Sequence, residues 1–138
     1  MRVRMLEPGE EGGCTAEERG FETCQLHMRH WEIRDAKGGV QRVDGEGVIG
    51  MFPVLREGGY RADRVHRAGR VEGEETSGRF VYQSCTGGNY TAEGRNTLEG
   101  GSFGGHLTFV PGTIDDPEGA PFDVAVKAFR LVHPGYIF

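Results

Sequence analysis

The chain has 138 residues, enough for one domain and too few for two ordinary ones. Glycine contributes 24 residues, well above ordinary usage. Because each interior glycine costs a helix about 1 kcal/mol relative to alanine, this composition excludes a helix bundle and favours an all-β fold. The 16 basic and 21 acidic residues give a net charge of −5, which argues against a nucleic-acid-binding protein.

The apolar and cysteine content indicates an intracellular protein without a membrane span. No run of 18 apolar residues occurs, and the first six residues, MRVRML, are too short and too charged for a signal peptide. The three cysteines are an odd number without CxxC spacing, which favours free thiols over a disulfide framework or a structural zinc site.

The predicted elements are short strands separated by turns. A strand at 2–6 precedes an acidic, solvated loop that extends to residue 20. The period of 21–35 fits a helix or a strand, but the turn at 36–39 and the alternation in 40–43 favour a β-hairpin. Further strands are predicted at 79–85, 106–110 and 121–132, the last with a bulge near Ala128 where the apolar alternation changes phase.

Two segments interrupt this pattern. Residues 44–55 are glycine-punctuated and apolar, and Pro53 restricts them to an edge or bulge of a sheet. Residues 57–78 have no apolar period and are predicted to be a loop insert within a single domain spanning 1–138. Arginines in and beside this insert could bind phosphate, but the acids that follow favour a solvated, self-neutralising loop; they are Arg56, Arg61, Arg64, Arg67 and Arg70.

Gly45, Gly47 and Gly50 form a GxGxxG pattern and are the candidate ligand-binding residues. In dinucleotide-binding folds such glycines let backbone amides approach a pyrophosphate at a helix N-terminus. Here Phe52-Pro53 follows and no helix is indicated, so a turn between strands is the favoured interpretation. Phosphate contact by the amides of the turn is the alternative.

No catalytic or metal-binding constellation is evident. In a strand, His27 and His30 point to opposite faces and cannot chelate one ion together without a bulge. Ser84 and Cys85 lack the sequence signature of a catalytic nucleophile. We therefore expect no catalytic residues, no metal and no cofactor. The aromatic residues that could anchor a protein partner are Trp31, Tyr60, Tyr82, Tyr90 and Tyr136, of which Trp31 is predicted to be core.

Ordered blocks of sequence resemble the ApaG domain (DUF525). They are Cys24-Gln25-Leu26, Arg29-His30-Trp31, Asp35 to Gly38, Val43 to Gly50 with Phe52-Pro53, Phe80 to Cys85, Gly104 to Gly112, Phe122 to Leu131 and the ending Pro134 to Phe138. The version with Cys24, Cys85 and this ending is most similar to the C-terminal domain of plant and algal F-box proteins that bind SKP1. The animal F-box-only protein 3 is a more distant relative.

The resemblance implies an immunoglobulin or fibronectin type III-like β-sandwich with a non-catalytic role. In F-box relatives the domain is thought to recognise substrates of an SKP1-cullin-F-box (SCF) ubiquitin ligase. The expected partner is thus a protein or ubiquitination substrate, with SKP1 bound only through an F-box that this chain lacks. Bacterial ApaG proteins stand alone and suggest an alternative, a small-ligand domain that binds pyrophosphate or a nucleotide or is linked to divalent metals.

Family members have one full strand before the segment that matches residues 2–6. The resemblance therefore implies that the N-terminal edge strand of the sandwich is missing here. An exposed neighbouring edge pairs readily with another chain, so we expect self-association.

Overall fold

A computed structural model describes residues 1–66, 69–83 and 99–131, except for the side chain of His66. This part of the chain is built almost entirely of strands, which confirms the all-β prediction. In chain order the elements are β1 (Arg2–Val3), α1 (Ala16–Arg19), β2 (Cys24–Arg34), β3 (Val40–Glu46), β4 (Met51–Arg56), β5 (Gly59–His66), β6 (Gly69–Val71), β7 (Glu75–Ser77), β8 (Phe80–Val81), β9 (Ser102–Pro111) and β10 (Phe122–Arg130). Within these residues, no helix has the length and apolar character needed to cross a bilayer.

Strand β2 organises the larger sheet. It pairs antiparallel with β9 along its whole length, with β3 from Met28 onwards, and with β4 only at Cys24 and Gln25. Beyond these strands, β10 adds to β9, and β5 joins β4 to β6 and β7. A second, two-stranded sheet pairs β1 with β8.

Side chains from both sheets pack into one core, so the architecture is a β-sandwich. The buried members of this core are Cys24, Leu26, Trp31, Ile33, Val48, Leu55, Phe80, Tyr82, Phe103, Leu107 and Phe109. Trp31 is buried, as predicted, and its ring lies 5.0 Å from that of Phe103. Burial on one face explains why Phe80 and Tyr82 are enclosed while Val81, between them, is 55% exposed.

Several local predictions are confirmed. The β2–β3 hairpin closes through Asp35, whose Oδ1 accepts hydrogen bonds from the amides of Lys37 and Gly39, both at 2.8 Å. The register of β10 against β9 shifts between Val126 and Phe129, which places the bulge where the alternation changes phase.

The prediction of a loop at 57–78 is wrong, because β5, β6 and β7 occupy most of it. The sequence does not predict these strands because ion pairs, rather than an alternating apolar face, occupy much of their surface. Arg56 pairs with Glu75 across β4 and β7 at 2.8 Å, and Arg61 pairs with Asp63 at 2.8 Å. The predicted self-neutralisation of the arginines holds for these two, whereas Arg70 pairs with Asp115, which lies outside this segment.

The prediction of an unbroken loop up to residue 20 is also wrong, because α1 forms within it. Thr15 caps the helix: its Oγ1 accepts the amide of Glu18 at 3.2 Å and donates to the Glu18 carboxylate at 3.1 Å. Gly20 then ends the helix with φ 86°. This capping box, Thr-x-x-Glu followed by glycine, was a readable helix signal in the sequence.

Strand β9 starts four residues earlier than predicted and includes the Gly104-Gly105 pair. Gly105 has φ 138°, and a Cβ built there would lie 1.9 Å from the carbonyl oxygen of His30. A Cβ on Gly104 would lie 3.0 Å from that of Ala128. The pair therefore marks a close approach of three strands instead of a turn.

A buried polar network joins the larger sheet to the loop that follows β9. The Nε2 of Gln25 donates to the carbonyl of Phe52 at 3.0 Å and to Asp63 at 3.2 Å, while its Oε1 accepts the amide of Ile114 at 2.8 Å. Asp63 also accepts from Arg61 and from the amide of Gly73 at 3.1 Å. Gln25 is 1% exposed and Asp63 is 5% exposed, so each bond replaces water that is excluded.

We predict that Gly105→Ala destabilises the protein by more than about 1 kcal/mol, because the methyl group must displace the β2 backbone in a conformation that suits glycine. Urea unfolding measures the loss. Gly119→Ala is the matched control, since its methyl group meets only ordinary contacts with Pro111 at 3.4 Å or more. Equal unfolding free energies for the two variants would contradict this close approach.

We predict that Gln25→Leu lowers the free energy of unfolding by about 1–3 kcal/mol, because the amide of Ile114 and the carboxylate of Asp63 lose a buried partner. Gln41→Leu is the control, since Gln41 is exposed on β3. If both substitutions left the urea midpoint unchanged, the network would not stabilise the fold.

Candidate functional site

The GxGxxG segment forms the connection between β3 and β4. The amide of Val48 donates to the carbonyl of Met51 at 2.9 Å, and the amide of Met51 donates back at 2.8 Å. Between them, Ile49 and Gly50 have φ angles of 45° and 75°. This is the geometry of a tight two-residue hairpin turn, so the favoured interpretation of the segment as a turn between strands is confirmed.

Packing accounts for two of the three glycines. A Cβ on Gly45 would lie 2.6 Å from the guanidinium of Arg29, which donates to the carbonyls of Glu46 at 2.7 Å and Gly47 at 2.9 Å. A Cβ on Gly47 would lie 2.6 Å from the carbonyl of Met51. The amide of Gly47 donates to the carbonyl of His27 at 2.7 Å and is therefore used within the fold. Ligand binding by Gly45, Gly47 and Gly50 stays a prediction.

Ile49 is the functional candidate that the sequence reasoning missed. It is 51% exposed at the tip of the turn, and it has a positive φ that β-branched residues rarely adopt. An asparagine would suit this position better. A strained, exposed apolar side chain can indicate a contact surface, because it stabilises neither the turn nor the core. The sequence contained a signal, because Val48-Ile49-Gly50 lies between two strands, where residues that favour turns are expected.

A row of polar side chains crosses the outer face of the larger sheet. His30 Nδ1 lies 2.7 Å from Asp44 on β3, and its Nε2 lies 3.3 Å from the hydroxyl of Thr108 on β9. That hydroxyl donates to Asp123 on β10 at 2.7 Å. The ring of His106 stacks on that of His30 with centroids 4.4 Å apart. Four strands thus contribute one connected polar surface.

The histidine geometry differs from the alternating pattern expected of a regular strand. The register of β2 against β9 shifts between Leu26 and Met28, which places His27 at a bulge. His27 lies 3.6 Å from Glu46 and His30 lies 2.7 Å from Asp44, two carboxylates on the same face of β3. Both histidines therefore reach one face. Across 1–66, 69–83 and 99–131, no group of three or more ligand side chains could hold a metal ion.

An apolar groove of about 330 Å³ lies between the N-terminal segment and the core. Its apolar lining comes from Val3, Met5, Leu6, Phe21, Cys24, Leu55, Phe109, Phe122 and Val124. At its N-terminal wall, Arg4 makes two 2.8 Å hydrogen bonds to Glu10, which lower the pKa of that carboxyl to about 2. Burial raises the pKa of the Cys24 thiol to about 12, so this cysteine stays protonated and packs as a small apolar side chain.

Some of the remaining candidate residues lie in the described part of the chain and the others lie outside it. Cys14 and Cys24 are free, as predicted. Burial raises the pKa of Tyr82 to about 12, and its hydroxyl donates to the sulfur of Met1 at 3.1 Å, so Tyr82 is a core residue. Outside the described residues lie Ser84, Cys85, Tyr90, Arg67, Tyr136 and the ending Pro134 to Phe138 that contributes to the ApaG resemblance.

Comparison with known proteins connects this chain to one domain family. The model of DUF525, the ApaG domain, matches residues 14–61. The F-box protein SKIP16 of Arabidopsis thaliana is 38% identical over 91% of the chain, which corresponds to 23% of that protein. F-box only protein 3 of Homo sapiens is 49% identical over 82% of the chain and 18% of its own length.

A bacterial relative is similar over most of the chain as well. Protein ApaG of Paramagnetospirillum magneticum is 34% identical over 84% of the chain and 65% of its own length. The chain thus spans about a fifth of the F-box relatives and about two thirds of the bacterial one. The family match covers β2, β3, β4 and the turn that joins the last two, and it confirms the resemblance of this chain to the ApaG domain.

Proposed function

We propose that this domain is a non-catalytic protein-binding β-sandwich that recognises substrates for an SCF ubiquitin ligase adaptor. The observation behind the proposal is the alignment of 91% of the chain with a segment of a plant F-box protein. A second F-box protein, from an animal, aligns over 82% of the chain. Because the chain covers a small part of each relative, the adaptor role concerns the full product of its gene.

The hairpin between β3 and β4 is the surface we assign to partner contact. It projects Ile49 from a rigid support, since the flanking strands are paired and Arg29 binds two carbonyls of the connection. An apolar side chain that is already fixed in position loses little conformational entropy on binding. Loops at the end of a sandwich are common recognition sites.

The small-ligand alternative, suggested by the bacterial relatives, has less support. It requires free backbone amides in the glycine turn, and those of Gly47 and Val48 already bond within the fold. The guanidinium of Arg29 lies beside this connection, but it donates to the carbonyls of Glu46 and Gly47.

Affinity purification of the full gene product from its own cells tests the adaptor role. We expect SKP1 and a cullin to co-purify, together with one or more further proteins that depend on the ApaG domain. A preparation without SKP1 and cullin would overturn the SCF assignment. Loss of the further proteins on deletion of the domain, with SKP1 retained, would assign substrate recognition to this domain.

We predict that Ile49→Asn in the full product reduces the co-purified substrate while leaving SKP1 unchanged. The same substitution relieves the strained φ and therefore maintains or raises the melting temperature of the domain. Lost binding in a variant of equal or higher stability cannot come from misfolding. Val65→Asn, at a 57% exposed position on β5, is the control. Unchanged substrate recovery would exclude Ile49 from the contact surface.

A further inference from the structure

In the described part of the chain, strand β10 ends the larger sheet and carries exposed apolar side chains. Among the described residues it pairs only with β9, so its other edge presents backbone groups that continue the ladder. Val124 is 43% exposed and Phe129 is 51% exposed, although both lie on the side of the sheet that faces the core. The Phe129 ring contacts that of Phe103 in the core, at 5.4 Å between centroids. The sandwich therefore covers this edge incompletely.

The two faces of β10 carry different chemistry. Phe122 and Val126 pack against the core, and Val124 lies between them in the same phase. On the outer face Asp123 accepts a hydrogen bond from Thr108, and period-2 alternation places the exposed Lys127 on that same face. An acid and a base thus stand four residues apart, with Ala125 midway between them.

This spacing makes the edge complementary to itself. When two copies of β10 pair antiparallel with their centres at Ala125, Asp123 of each faces Lys127 of the other, and Val124 faces Val126. The two-fold axis forms both ion pairs at once and joins the apolar faces into one continuous row. Registers centred on Val124 or Val126 place Asp123 opposite an alanine or a phenylalanine and lose both pairs.

We propose that two copies of this domain associate through β10, antiparallel about Ala125, into a sheet that continues from one copy to the other. The occupant of the open edge is therefore a second copy of this chain. The bulge after Val126 limits the pairing to the short segment 122–127, so this dimer exchanges with the monomer as the protein concentration changes. This interface is independent of the adaptor role proposed above.

Sedimentation velocity over a wide concentration range, at low and high salt, tests the proposal. We expect a concentration-dependent dimer that weakens with salt, because its ion pairs are exposed. Asp123→Lys and Lys127→Asp each place like charges opposite one another twice and should weaken association about tenfold or more. The double variant with both substitutions restores the opposite-charge pairs and should recover the dimer.

The variants keep the test decisive. Asp123→Lys also removes the bond to Thr108, so its thermal unfolding is compared with that of the wild type. Lys127→Asp is a second, independent test of the ion pairs. Arg42→Glu, a charge reversal on β3, is the control that should leave association unchanged. A wild-type chain that is monomeric throughout, or a dimer indifferent to all three β10 variants, would overturn the proposal. Recovery of the co-purified substrate by the full gene product that carries these substitutions shows separately whether the adaptor role survives.

Discussion

The side-chain amide of Gln25 is the interaction on which the arrangement of strands depends. Strand β2 passes from pairing with β4 at Cys24 and Gln25 to pairing with β3 from Met28 onwards. At this branch point the amide bonds to the carbonyl of Phe52, the carboxylate of Asp63 and the amide of Ile114. An apolar residue here could fill the space but could not satisfy these groups, of which the Phe52 carbonyl and the Asp63 carboxylate are buried. The branch therefore requires a residue that both donates and accepts.

The same network explains why a strongly charged segment belongs to the sheet. Asp63 lies in β5 and is almost fully buried, yet Gln25, Arg61 and the amide of Gly73 surround its carboxylate with donors. A buried carboxylate without such partners would oppose folding strongly. Because the partners come from β2, from β5 itself and from the connection after β6, the acid specifies how these elements meet. Residues 57–78 fold through polar complementarity more than through hydrophobic alternation.

Whether an element folds through hydrophobic alternation or through polar complementarity decides whether it could be predicted from the sequence. Alternation between apolar and polar side chains predicted β3 and β10 with its bulge, and the turn that precedes β3 predicted β2 as its hairpin partner. Strands β5 to β7 could not, because the partners of Arg56 and Arg61 are known only once the chain has folded. The close backbone approach at Gly104 and Gly105 could not be predicted, since the sequence alone does not distinguish glycines that allow such an approach from glycines that form a turn. Helix α1 was overlooked, although its capping box is local and was readable.

The candidate site was likewise predictable in part. Its position could be predicted, because a glycine-rich segment between two strands must form a turn. Its chemistry could not be predicted, because the contacts that require glycine at Gly45 and Gly47 come from Arg29 and Met51, which approach them only in the folded chain. Because packing accounts for Gly45 and Gly47, the exposed and strained Ile49 is the residue of the turn that the fold does not require. A selective pressure for stability alone would favour asparagine before Gly50, so an isoleucine there is better explained by a contact made outside the domain.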